Sequence, residues 1–363
     1  MKICFFGSSL VSSYWNGAAT YYRGLLKAMA ALDYEIVFYE PDAFSRQQHR
    51  DIPDPEWAQV VVYPATDAGW QAALDTAARH ADLLVKASGI GVFDRELESA
   101  VLHAARPCTI VAFWDVDAPA TLDAIDRDHT NPLQKLIPRY DLVLTYGGGA
   151  AVVRAYDRLG ARTCVPIYNA LDPQTHHPMA RSDGFACDFG FLGNRLPDRE
   201  SRVEEFFLEP ARRLADRRFL LGGAGWESKS VPPNVRLAGH VGTKHHNAFF
   251  CSGLATLNIN RESMARYGFS PPTRVFEAAG AAACVITDTW PGIETFFEPG
   301  KELLTADGAD AVTAILAGLG PEQARRIGRA ARARALAEHT YAHRAKQLAG
   351  VLETTVSTRE AAA

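Results

Sequence analysis

No window of the 363-residue sequence reaches the roughly 18 uninterrupted apolar residues that a helix needs to cross a bilayer. The opening run Ile3-Cys4-Phe5-Phe6-Gly7 is too short for a secretory leader, and no small-residue cleavage site follows it. Cysteine is sparse: Cys4, Cys108, Cys164, Cys187, Cys251 and Cys284 are scattered, with no C-x-x-C pair and no histidine at ligand spacing. They read as small buried hydrophobes of a reducing compartment rather than as disulfides or a zinc knot, so a cytoplasmic location is expected. An excess of one charge is also lacking. Lys and Arg total 38 against 42 Asp and Glu, a formal charge of -4. That balance gives no reason to expect nucleic acid or an anionic membrane as partner. With 28 Gly and 20 Pro the chain has turns in plenty but is no low-complexity sequence.

What is present is an ordinary globular composition, 47% hydrophobic and 22% charged, at a length that suggests about two domains. Short apolar, β-rich runs occur at 2–7, 34–39, 60–63, 82–87, 109–114, 141–146 and 163–168. Helix-periodic stretches at 17–32, 66–78, 94–105, 118–127 and 149–159 separate most of them. Strands apolar throughout suit a parallel sheet covered on both faces, and the alternation predicts a doubly wound α/β domain. The rhythm breaks over 169–185, a polar stretch with two prolines that reads as an interdomain linker. It then restarts. Strands are predicted at 188–192, 218–221, 235–238, 255–259, 284–287 and 302–304. Helices are predicted at 198–216, 243–251, 273–281, 309–319, 321–338 and from 341 to about 355, with a frayed tail over 357–363.

In such sheets the residues just past each strand face the ligand. The loop from Gly7 to Thr20 opens a helix and reads equally as an anion cradle or a tight turn. It is not G-x-G-x-x-G, which argues against a dinucleotide oxidoreductase. Lys86, ending an apolar strand, reads as a snorkelling side chain before a ligand contact. Asp115 and Asp117 lie at the carboxyl end of one strand. Asp117, ahead of Ala118-Pro119, suits a helix N-cap, which leaves Asp115 as the stronger candidate for a general base or hydroxyl binder. Tyr146-Gly147-Gly148-Gly149 reads as a close-approach loop or a loose turn.

The second half is richer. Gly193-Asn194-Arg195 followed by Pro197-Asp198-Arg199 combines a turn, a helix start and an Arg fork, suited to phosphate or equally to plain surface. Glu277 falls in an otherwise apolar helical turn and needs a partner: a ribose diol, or a nearby arginine such as Arg274. His176-His177 and His245-His246 are adjacent pairs rather than i, i+4 pairs, so no metal is expected. Arg325, Arg326, Arg329, Arg332 and Arg334 crowd one late helix and read as a solvated basic face, or one that closes on the first domain.

Asn258-Ile259-Asn260-Arg261, then 270–280 (Ser-Pro-Pro-Thr-Arg-Val-Phe-Glu-Ala-Ala-Gly) and 288–302, resemble the CgeB-type glycosyltransferase-like family, which is widespread in bacteria and similar to the GT-B glycosyltransferases. Residues 113–121 and the closing Glu338-His339-Thr340-Tyr341 with Arg344 resemble it too. The resemblance implies an α/β GT-B fold: two Rossmann-like doubly wound domains facing across a cleft, with a C-terminal helix crossing back to the first. The corresponding division is 1–175 for the acceptor domain, 176–340 for the donor domain and 341–363 for the closing segment. It implies a hexosyltransferase-like enzyme that moves sugar from a nucleotide-diphosphate sugar, a UDP-sugar foremost, to an unknown glycan, protein or small-molecule hydroxyl, with no cofactor or metal required. Glu277 would hold the ribose. Arg195 with Gly193 and Asn194 would hold the diphosphate. Arg261, Ser270 and Thr273 would approach the phosphates or sugar, and His240 would lie near the base. Phe269 stands where the best-known retaining enzymes carry a second Glu. If transfer inverts, Asp115 or Asp117 would be the base. A nucleotide-sugar isomerase of the same architecture, or a non-catalytic nucleotide- or glycan-binding relative, are the alternative readings.

Overall fold

The apolar runs of the first half form seven parallel strands: β1 (Lys2–Phe6), β2 (Glu35–Asp42), β3 (Gln59–Pro64), β4 (Leu83–Ala87), β5 (Ile110–Asp115), β6 (Leu142–Thr145) and β7 (Cys164–Pro166). They lie in the order β3-β2-β1-β4-β5-β6-β7 in a computed structural model that describes residues 1–362. The intervening helices are α1 (Ala19–Ala30), α2 (Asp67–His80), α3 (Asp94–Ala104), α4 (Ala118–Arg127), α5 (Leu133–Leu136) and α6 (Gly149–Arg158). β4 and β5 are buried along their whole length, as expected of strands covered on both faces. Thr66 caps α2 by accepting from the Gly69 N–H at 3.1 Å.

The second half forms six parallel strands, β8 (Cys187–Leu192), β9 (Phe219–Gly222), β10 (Val235–Gly239), β11 (Gly253–Asn258), β12 (Val285–Asp288) and β13 (Leu304–Ala306), in the order β10-β9-β8-β11-β12-β13. This is the doubly wound order, with its switch point between β8 and β11. The helix predicted over 198–216 is α7 (Pro197–Val203) and α8 (Glu209–Arg213), joined by a π-helical turn at Glu204–Leu208. Then come α9 (His246–Ser252), α10 (Glu262–Tyr267), α11 (Thr273–Gly280), α12 (Ala309–Gly318) and α13 (Pro321–Glu338). Phe189, Phe191, Phe207, Leu221, Leu257 and Ile286 centre the core.

The chain divides at Tyr168/Asn169 and again at Thr340/Tyr341. It enters and leaves the second unit side by side: Leu171 pairs with Thr340, and its N–H donates to His339 O at 2.8 Å. The last helix, α14 (Tyr341–Ala362), belongs to the first unit. Gly24 of α1 admits it, since a Cβ there would lie 2.1 Å from the Tyr341 ring. The tail expected to fray is helical to Ala362, while Ala363 lies outside the described residues. Arg359 anchors it by donating to Thr109 O at 2.8 Å and Pro107 O at 2.6 Å.

Candidate functional site

The switch point of the second sheet is spanned by one side chain. Arg274, in the first turn of α11, donates through Nε to Leu192 O at the end of β8, and through Nη1 to Asn258 Oδ1 at the end of β11, 3.1 Å away. Gly193 follows β8 directly. A Cβ on it would lie 2.9 Å from both Arg199 Nη1 and Arg274 Nη2, so two guanidinium groups converge over a residue that has no side chain. Burial, and then the neighbouring Arg199 charge, depress Arg274 to about 9. Two cations held together this way form a ready anion site. The turn below them is rigid. Gly193 N–H donates to Gly222 O at 2.9 Å, Ala224 N–H to Asn194 Oδ1 at 3.0 Å, and Trp226 Nε1 to Gly193 O at 2.8 Å.

Arg195 has its fork filled. Nε and Nη2 each reach a Glu200 oxygen at 2.8 Å, and Nη1 reaches Ser228 Oγ at 3.2 Å. Hydrogen bonds from Arg195 and Lys229 hold the Glu200 carboxyl down at about 2. The sequence offers Arg195 to the phosphates, whereas Arg199 and Arg274 are the pair that meets at the strand ends. Arg274 appears in the sequence motif only as a possible partner of Glu277, because nothing in spacing shows a side chain reaching across two strand ends. Ser270 is buried and donates to Gly268 O at 2.9 Å. Thr273 opens α11, Arg261 stands at the N-cap position of α10, and His240 is exposed just beyond β10. Phe269 has a left-handed backbone, φ 46°, and its N–H donates to Pro291 O at 2.7 Å. Its ring fills the space beside Gly292. Asn260, fully buried past β11, has neither amide atom hydrogen-bonded among the described residues. Its N–H donates to Asp288 Oδ1 at 3.2 Å.

Glu277 lies one turn beyond Arg274 on α11, only 7% exposed. Its Oε2 is 3.8 Å from His246 Nδ1, which is 3.4 Å from His176 Nε2. One member of each histidine pair thus meets the carboxylate. Chain separation hides this from any reading of spacing: the two histidines are 70 positions apart. Burial lowers the pKa of both, His246 to about 4.

In the first unit Asp115 is fully buried at the end of β5. Oδ1 accepts from Ser88 Oγ at 2.7 Å, Thr121 Oγ1 at 3.0 Å and Asp117 N–H at 3.1 Å, and Oδ2 accepts from the Tyr156 hydroxyl. That many donors make Asp115 the organiser of the β5–α4 turn. Asp117 occupies the N-cap position of α4 without a side-chain cap bond. Lys86 does not snorkel. It is fully buried and pairs with Asp94 at 2.6 Å and Glu98 at 3.2 Å, because α3 brings both carboxylates over β4. The loop after β1 closes on Glu40, which accepts from Leu10 N–H at 2.6 Å and Ser9 Oγ at 3.0 Å. A buried carboxylate at its centre makes that loop a turn rather than an anion cradle.

A family model described as "Glycosyl transferase-like" matches residues 199–350. Sequence comparison with curated proteins finds no match. Among solved structures, sucrose-phosphate synthase from Thermosynechococcus elongatus is similar over 99% of this chain and 100% of its own, with TM-score 0.73 and 13% identity. HepE of Anabaena, in complex with UDP and glucose, is similar over 97% of this chain and 99% of its own, with TM-score 0.70 and 14% identity. An alpha-glucosyltransferase in complex with UDP covers 97% and 100%, with TM-score 0.72 and 10% identity. The fold is GT-B. At these identities the likeness is one of fold, and in GT-B terms the second sheet carries the converging arginines and Glu277. No helix among the described residues is long and apolar enough to cross a membrane.

Proposed function

We propose that the protein is a glycosyltransferase that moves a sugar from a nucleotide-diphosphate sugar, a UDP-sugar first, to an acceptor hydroxyl. The observation that carries this is the meeting of Arg199 and Arg274 over Gly193 at the switch point of the second sheet. Such a pair concentrates positive charge, with Arg274 Nη2 turned toward Gly193, in a partly dehydrated place where charge-assisted hydrogen bonds to a diphosphate are strong. Glu277, one turn along the same helix, is placed to accept from a ribose diol. Asn260 offers one buried donor and one buried acceptor to a donor hydroxyl. Arg195, Arg261, Ser270, Thr273 and His240 form the wider rim in this reading. Solved structures of the same fold that hold UDP and glucose, or UDP alone, support it. So does the match to the glycosyl transferase-like model, which spans α11. The CgeB-type resemblance of 258–302 agrees with it.

In the reaction the anomeric C–O bond breaks and its electron pair leaves on the diphosphate. The acceptor oxygen forms the new bond and gives up its proton. The arginines offset the growing negative charge on the leaving group, so no divalent ion is needed there. With Asp115 held by four donors, Asp117 is the carboxylate we assign to receive the proton if transfer inverts. In a retaining transfer the departing phosphate takes it. Unpaired cysteines throughout the chain fit a cytoplasmic enzyme.

The test is a thermal-shift panel of UDP-, dTDP- and GDP-sugars on wild type and Glu277→Ala. Stabilisation by one nucleotide class that Glu277→Ala reduces supports the reading. No shift with any donor, or the same shift in the variant, overturns it. Acceptor-dependent release of nucleotide then separates a transferase from an isomerase.

A further inference from the structure

His176, His246 and Glu277 each turn a ligand atom toward the other two, and all three atoms lie within 4.8 Å of one another. We propose that these residues bind a zinc ion, which fixes the Glu277 carboxylate. Ribose binding by Glu277 is part of the donor reading, but zinc uptake stands or falls without it. Zinc takes nitrogen and oxygen ligands at about 2.0–2.1 Å, which in a tetrahedral array sets ligand atoms about 3.3–3.4 Å apart. The two printed separations here, 3.4 Å between the histidines and 3.8 Å from His246 to Glu277, are close to that spacing. Two imidazoles and a carboxylate, with one position open to water, are a usual three-ligand set for this ion.

Two further features support the site. First, the ligands come from separate segments that are locked together. Asn247, next to His246 on α9, accepts from His177 N–H at 3.1 Å and donates to Thr175 O at 2.9 Å, so it clasps the backbone on both sides of His176. Gly280 lets the same backbone settle on α11, since a Cβ there would lie 2.8 Å from His176 O. Second, the His246 ring also hydrogen-bonds the Val241 backbone carbonyl. A ring that gives one N–H to a carbonyl presents its other nitrogen as a lone pair, the usual support for a metal-bound histidine.

The test uses the full chain, stripped with a chelator and dialysed, then titrated with zinc and read by metal analysis and a competing indicator. Cobalt serves as an optical probe. Wild type is expected to take one zinc per chain and to show the visible cobalt bands of a low-coordinate site. His176→Gln and His246→Gln are each expected to bind at least tenfold more weakly and to lose those bands. His245→Gln, exposed beside the cluster, should match wild type. Circular dichroism on each variant checks that it is folded, and the cobalt spectrum of wild type does not depend on any variant. Wild type that takes up less than half an equivalent, or glutamine variants with unchanged zinc affinity, overturns the site. UDP titrated into the same samples separates the two readings: UDP binding without zinc removes only the zinc site, and zinc without UDP removes only the donor reading.

Discussion

Arg199 and Arg274 meet because residue 193 lacks a side chain, and this single absence gives the proposed donor site its charge. Gly193→Ala should push both guanidinium groups aside and weaken UDP binding about tenfold, read by equilibrium dialysis. Arg199→Gln should cost about 1.5–3 kcal/mol, the worth of hydrogen bonds to a charged group, or tenfold and more. Arg195→Gln should change affinity less than threefold, because its fork is spent on Glu200. Asp115→Ala should act on stability. It strands the Tyr156 hydroxyl, Ser88 and Thr121 in a buried place and should cost about 2–4 kcal/mol in a denaturant titration. At this scale the sequence was legible where chemistry is local. Glu277 in an apolar helical turn is visible as a residue in need of a partner. The partners that the structure brings, His176 and His246, come from distant segments. Lys86 reads as snorkelling in the sequence for the same reason, since Asp94 and Glu98 reach it only once α3 has packed on β4.

Hydrophobic runs point to all thirteen strands, though the run at 302–304 meets β13 only at Leu304; β4 and β5 show most plainly that a strand covered on both faces is apolar along its length. Two short helices escaped. α5 and α10 have four and six residues, too few to display a helical period. The ordered end of α14 escaped as well, since what holds it is Arg359 reaching backbone carbonyls of a loop more than two hundred residues earlier. The packing of α14 on α1 gives a test at this scale. Gly24→Ala sets a methyl against the Tyr341 ring, and overpacking of this kind costs about 1–3 kcal/mol. The melting temperature should fall by several degrees. Tyr341→Ala placed in the same chain should recover part of the loss, because it removes the clash; additive losses would contradict the contact.

Two doubly wound sheets in series are legible from the rhythm that breaks over 169–185 and then restarts. The return of the chain to the first unit rested on resemblance alone, because α14 has no pattern of its own that names its partner. The account places the nucleotide on the second unit. Hydrogen exchange with UDP present should therefore slow at Leu192–Arg199 and along α11, and stay unchanged in β1 to β6. Slowing confined to the first unit would reverse the assignment of donor and acceptor halves. The central claim is that Arg274, bridging the ends of β8 and β11, turns the switch point into a diphosphate site. Calorimetric titration of UDP into wild type and Arg274→Gln tests it most directly. The account predicts one UDP per chain for wild type and at least a tenfold loss in a variant whose circular dichroism is unchanged. Equal affinity in the two proteins, or no binding to wild type, would contradict it.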